Sequence, residues 1–170
     1  MAPDAVTIRP YQPGDLESCR ALWAALVQRH RQLYGDPSIG GDAPGVYFDQ
    51  HLARIGAGRI WVAERGEVMG LVGLIVEGEE AEVEPIAVAA GERGRGIGRL
   101  LLERAIAEAH TIGVRFLNVR PVARNAEAIA FFHEAGFRLL GRIELFMDLR
   151  DGAQGAWRPG ADLFGHRFGC

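Results

Sequence analysis

Seven consecutive residues, Arg93, Gly94, Arg95, Gly96, Ile97, Gly98 and Arg99, combine the ingredients of an anion site. Glycine lets a backbone turn tightly and come close to a ligand, while arginine carries a planar fork of donors. The β-rich residues Val83, Ile86 and Val88 precede the run, and an apolar helical pattern follows it. A strand, a glycine turn and a helix start place unpaired backbone amides together, where a phosphate group fits. Two common phosphate loops do not match the spacing. A P-loop needs Lys and then Ser or Thr after its last glycine, yet Gly98 is followed by Arg99 and Leu100. A dinucleotide fingerprint begun at Gly94 or at Gly96 needs a glycine where Arg99 or Leu101 stands.

The elements that must position this loop follow from periodicity. Val6 to Arg9 reads as a short strand, with Asp15 as the N-cap of a helix whose apolar positions run from Leu16 through Leu33. Asp36 to Gly45 is a loop, and Val46 to Ile55 a second helix. Arg59 to Arg65 and Glu67 to Val76 form a hairpin about Gly66, and Ala81 to Val88 is the next strand. Ile97 to Ala109 is an amphipathic helix ended by Gly113, and Val114 to Val119 a strand. A helix from about Asn125 to Ala135, capped by Gly136, precedes strands at Phe137 to Leu140 and Ile143 to Leu149. This order predicts a mixed sheet flanked by helices, with no internal linker.

Composition narrows the partners. The chain has 170 residues, 48% of them hydrophobic, and no apolar run approaches the roughly 18 residues of a membrane span. Net charge is −3, so no whole-molecule basic field draws nucleic acid. All 19 basic residues are arginine, a bias that runs through every segment and so reflects composition more than the loop. Cys19 and Cys170 lack disulfide or zinc spacing, and no signal-peptide pattern opens the chain, so a cytoplasmic home is expected, with no metal.

Arg93, two residues, Gly96, one residue, Gly98 resembles the acyl-CoA pyrophosphate loop of the GNAT superfamily of N-acetyltransferases. A second region, Asn125, Ala128, Ile129, Phe131, Phe132, Glu134, Gly136 and Phe137, is similar to that family's Asn-initiated helix ending in Gly-Phe. With Asp15 and the element order, the likeness covers residues 6 to 149. It implies an α/β (α+β mixed) single-domain fold over residues 1–150, with a mostly antiparallel sheet of about seven strands, splayed at its centre, and about four helices. It also implies acetyl-CoA as co-substrate. Backbone at Ile86, Ala87 and Val88 would pair with the pantetheine arm. Arg93 and the amides of Gly94, Arg95, Gly96, Ile97, Gly98 and Arg99 would hold the pyrophosphate, and Asn125 would contact the cofactor arm. Pro85 cannot donate to a ladder, and it fits this strand only if the strand bulges there.

The reaction implied is direct attack on the thioester by a primary amine of a small molecule. An alkyl ammonium is mostly protonated at neutral pH, so a carboxylate must take its proton, directly or through water. Glu82 and Glu84 alternate onto one strand face together with Ile86 and Val88 and are the catalytic candidates. Both are also readable as solvated charges beside Glu77, Glu79 and Glu80. Where many members of the family carry a Tyr that protonates the departing thiolate, this chain has Phe132, so the general acid is open. His133, one step on, points about 100° away and reads as a surface histidine. The resemblance places the acceptor near Tyr34, Tyr47, Phe48, Asp49 and His51, although Tyr47, Phe48 and Leu52 are equally readable as core. Residues 151–170, with Trp157, Leu163, Phe164 and Phe168, form an extension too aromatic for a disordered tail, docking on the domain or across a homodimer. The alternative to an enzyme is a catalytically weak acyl-CoA-binding sensor.

Overall fold

The computed structural model describes residues 5–151 and 157–170. It folds as two compact units, one ending at Val119 and one running from Arg120 to Cys170.

In the first unit, β1 (Thr7–Pro10), β2 (Ile60–Arg65), β3 (Glu67–Glu77), β4 (Glu80–Val88) and β5 (Phe116–Asn118) form a sheet in that order. All neighbours are antiparallel except β4 and β5. Helices α1 (Leu16–Tyr34) and α2 (Tyr47–Ile55) join β1 to β2, and α3 (Ile97–Ile112) joins β4 to β5. Gly66 and Gly78 take positive φ, 78° and 62°, at the two tight hairpin turns. That geometry suits glycine best and explains why each hairpin closes where it does.

The sheet is covered on both faces. Cys19 and Leu22 of α1 and Phe48 of α2 bury against Ile60, Val62, Leu71 and Ala87. On the other face a Cβ on Gly70 would meet Leu101 Cδ1 at 2.9 Å and Ile97 Cγ2 at 3.4 Å, so glycine lets α3 lie close on β3. The Arg104 guanidinium covers the Trp61 ring from the same side, 4.7 Å from its centroid. Strands buried on both faces read as nearly unbroken apolar runs, as Met69 to Ile75 does.

Asp15 stands at the N-cap position expected of it, but its side chain is spent elsewhere than on the helix. It closes the 3-10 turn Pro13–Asp15, its carboxylate accepting from the Gln12 amide at 2.8 Å and from both Arg9 Nη atoms at 2.7 and 2.9 Å. Its side chain makes no cap hydrogen bond to α1. Arg9 Nε also donates to Glu64 at 2.7 Å, tying β1, β2 and the start of α1 together.

The second unit holds α4 (Ala126–Glu134) and a two-stranded sheet of β6 (Pro159–Leu163) and β7 (His166–Gly169). Asn125 Oδ1 accepts from the Ala128 amide at 3.1 Å, so Asn125 caps α4. Past Gly136, at φ 107°, the Phe137 amide bonds Phe132 O at 3.0 Å. The two strands expected at Phe137 to Leu140 and Ile143 to Leu149 form no ladder among the described residues. Alternating apolar residues favour an extended chain, but a strand also needs a neighbour to take its backbone donors and acceptors, and that choice is tertiary. The main sheet therefore has five strands, not about seven, and the other two strands come from the tail. Trp157 docks within this unit, packing on Phe146 at 5.0 Å and donating Nε1–H to Asp148 at 3.2 Å.

Candidate active site

The pairing of β3 with β4 breaks where Pro85 sits. Leu74 lies opposite Val83 and Val72 opposite Ile86, so Glu84 and Pro85 face the single residue Gly73, and the Glu84–Pro85 peptide is cis. The bulge admits a residue with no N–H to donate, as its sequence requires. It also corrects the expected side-chain geometry. One extra residue reverses the alternation, so Glu82, opposite Ile75, shares a face with Leu71 and α1–α2. Ile86, opposite Val72, points to the other face. Glu82 and Glu84 are thus separated from Ile86 and Val88 by the bulge.

His51 of α2 lies beneath the bulge. It is 6% exposed, and its ring packs 5.2 Å from that of Trp23. A Cβ on Gly73 would stand 2.4 Å from Glu84 O and 3.0 Å from His51 Nε2, so both groups converge on the glycine. Burial holds the imidazole below its ordinary pKa, against the opposing charge and backbone carbonyl of Glu84. It is therefore neutral at neutral pH. Nε2 is buried with no hydrogen-bond partner among the described residues.

From Val88 the chain enters the glycine loop. Ala90–Glu92 makes a 3-10 turn, Gly94 and Gly96 take φ of 75° and 83°, and Gly96 stands at the N-cap of α3. The first helical bond runs from Leu100 N to Gly96 O at 3.1 Å, which leaves the amides of Ile97, Gly98 and Arg99 ahead of it. Ile97 is 1% exposed and anchors the turn, whereas a Cβ on Gly94 or Gly96 would meet nothing within 4 Å. The concave side is open. Arg93 Nε donates to Val88 O at 3.1 Å, pinning the loop to the end of β4. Arg95 and Arg65 both reach Glu92, at 3.3 and 2.8 Å, and Arg99 reaches Glu103 at 3.0 Å. An open glycine turn, the start of a 16-residue helix and three arginines fit a diphosphate.

The remaining candidates fall differently. Asp49 is clamped by Arg20, with Nε to Oδ1 at 2.8 Å, and joins α1 to α2. Phe48 is fully buried between Tyr11 and Trp23, at 5.9 and 6.3 Å, and belongs to the core. Tyr47 is exposed and, with Ala43, Val46 and Gln50, lines a shallow cavity of about 240 Å³. Tyr34, the last residue of α1, is half-buried and does not line that cavity. In the second unit, Asn125 uses its side chain as the cap of α4, and Phe132 is buried against Phe131 and Phe137 at 5.2 and 5.8 Å. His133 is exposed, as expected of a surface histidine.

A profile of the acetyltransferase (GNAT) family matches residues 20–137. The chain belongs to that family. This GNAT chain is 32% identical over 126 residues to the N-alpha-acetyltransferase RimI of Mycobacterium tuberculosis, a match covering 71% of this chain and 78% of the relative. Its fold is similar to the crystal structure of the ribosomal-protein-S18-alanine N-acetyltransferase of Escherichia coli, with TM-score 0.58 and 25% identity over 78% of this chain and 77% of that one. It is also similar to AAC(6')-Iy, solved with the bisubstrate analog CoA-S-monomethyl-acetylneamine, with TM-score 0.61 and 17% identity over 85% and 99% of the two chains. The protein is thus an N-acetyltransferase, and acetyl-CoA is the donor its family uses.

The convergence of His51, Gly73 and Glu84 was not read from the sequence. Gly73 carried a signal, since a glycine inside a strand marks a bulge or a close backbone approach. The partner across it, on a helix 22 residues earlier, carried none.

Proposed function

We propose that this enzyme transfers the acetyl group of acetyl-CoA to a primary amine of a small molecule by direct attack. The observation carrying the reading is the β4 bulge, which sets Glu82 and Glu84 on the α1–α2 face immediately before the open glycine loop. When bound, acetyl-CoA supplies a thioester whose carbonyl carbon the amine attacks, releasing the thiol. Gly94 to Arg99 hold the diphosphate through backbone amides, Arg93 and Arg95 add charge, and backbone at Ile86, Ala87 and Val88 meets the pantetheine arm. Glu84, seconded by Glu82, takes the ammonium proton directly or through water. The acceptor approaches over the α1–α2 layer near Tyr47, with Tyr34 at the margin, where carboxylates favour a cation. Two free cysteines suit the cytoplasmic setting this reading carries.

Two observations favour neighbouring readings. Likeness to an N-alpha-acetyltransferase favours a peptide α-amine as the acceptor. Phe132, buried among rings with no proton to give, favours slow chemistry or an acyl-CoA sensor. Thiol release measured with small amines and with short peptides separates all three. Turnover on small amines is expected, falling at least about tenfold in the Glu82→Gln, Glu84→Gln double variant at neutral pH with CoA affinity unchanged. Turnover on peptides alone would reassign the acceptor. CoA binding with no thiol release above background from any amine would make the protein a sensor.

A further inference from the structure

Helix α2 buries Phe48 and His51, three residues apart on one face. Phe48 completes the core, whereas His51 carries a polar ring into the same layer, 6% exposed and packed 5.2 Å from the Trp23 ring. A polar atom buried there costs free energy unless a partner meets it. The group brought to Nε2 is the Glu84 carbonyl. A Cβ on Gly73 would stand 3.0 Å from Nε2 and 2.4 Å from Glu84 O, so the missing side chain of Gly73 leaves room for both at one point. Ile55 Cδ1, 3.2 Å from that point, closes the gap on its apolar side.

A carbonyl oxygen only accepts, so the imidazole nitrogen turned to it carries the proton, and the neutral ring keeps its lone pair at Nδ1. Burial outweighs the Glu84 charge and keeps the ring neutral at neutral pH. The charged groups acting on it are the Glu84 carboxylate on β4 and Arg54 on α2 itself. Trp23 of α1 and Gly73 of β3, which also face it, carry no charge. At the bulge Glu84 and Pro85 together oppose one residue, which interrupts the regular ladder. An anchor from outside the sheet then decides how the Glu84 peptide stands. In the free chain Nε2 stops short of full hydrogen-bond geometry, and catalytic hydrogen bonds of this kind tighten when substrate binds.

We propose that His51 is a positioning residue for acetyl transfer: its Nε2–H anchors the Glu84 carbonyl from beneath the bulge and so aims the Glu84 carboxylate at the acceptor ammonium. The proton moves from the ammonium nitrogen to a Glu84 oxygen, and His51 keeps its own throughout. The inference rests on Glu84 as the base of the proposed reaction and adds the residue that orients it.

Two measurements on the 170-residue chain test it. In the 15N-labelled wild type, long-range proton–nitrogen correlations of the His51 ring at neutral pH are expected to show a neutral ring protonated at Nε2. A ring protonated at Nδ1 alone overturns the proposal, and this readout needs no variant to fold. The second compares thiol release, with small primary amines and short peptides, and CoA titration in two variants. His51→Phe keeps the ring volume without the donor, and His51→Gln has an amide N–H that reaches the Nε2 position. His51→Phe is expected to lose about tenfold or more in kcat, with KM for the amine and CoA affinity within about twofold of wild type. His51→Gln is expected within about threefold of wild type. In a Glu84→Gln background His51→Phe is expected to cost nothing further, because it acts only through that carboxylate. An equal loss in both backgrounds, or an equal loss in His51→Phe and His51→Gln, overturns the proposal. Wild-type kcat in Glu84→Gln removes the base and this inference with it, whereas a loss in Glu84→Gln beside wild-type kcat in His51→Phe removes the inference alone.

Discussion

Replacing Gly96 with alanine isolates the contribution of loop shape to cofactor binding. Gly96 holds φ 83° and ψ −4° at the N-cap of α3, and a Cβ there would meet no atom within 4 Å. Steric clash is therefore absent and the penalty is purely conformational, about 1–2 kcal/mol for an L-residue in the left-handed region. In the free protein the turn can relax and shed that strain, swinging the amides of Ile97, Gly98 and Arg99 off their common direction. Binding the diphosphate then has to restore the turn, so the penalty falls on affinity and weakens it by about 5- to 30-fold. Asparagine tolerates this region better than alanine, so Gly96→Asn should lose less. Gly91→Ala is the control, since Gly91 lies in the preceding 3-10 turn without a positive φ and with equally open space. Titration calorimetry with CoA gives the three affinities, and pantetheine, which lacks the diphosphate, should not sense Gly96→Ala. A Gly96→Ala affinity within about twofold of wild type, or an equal loss in Gly91→Ala, would refute the claim that this loop grips the diphosphate through its backbone.

Two further outcomes follow from the packing. Gly73→Ala drives a Cβ to 2.4 Å from Glu84 O, so backbone has to move. We expect a loss of about 1–3 kcal/mol, read as a drop of several degrees in Tm, and a larger fall in kcat than in CoA affinity; an unchanged Tm contradicts the bulge geometry. The Arg9 guanidinium holds the Asp15 carboxyl below its ordinary pKa. The stability of that pair is full above the unfolded value of about 3.9 and is lost as pH falls through the lower folded value, so Asp15→Asn should flatten the acid limb of urea-midpoint curves below about pH 4. An acid limb as steep as that of the wild type would show that the ion pair does not set it.

Much of the site was legible in one dimension because its parts are local. A glycine turn needs glycines at fixed positions, and a helix announces its start and end within a few residues, so the loop at 93–99, Gly113 and the Asn125 cap were all readable. Pro85 likewise foretold a bulge, because a residue without an N–H cannot stand in a regular inner ladder.

The family signature and the order of elements were properties of the sequence itself. Which face each carboxylate occupies was not, because a bulge inserts one residue and reverses every side chain beyond it, and only the pairing with β3 shows where. The resemblance named His51 near the acceptor, but its approach to Gly73 and Glu84 came from the packing of α2 on the sheet, a contact with no local trace. Residues 137–149 carry strand-like alternation yet form no ladder, since a strand is a relation between two segments and the sequence describes only one of them.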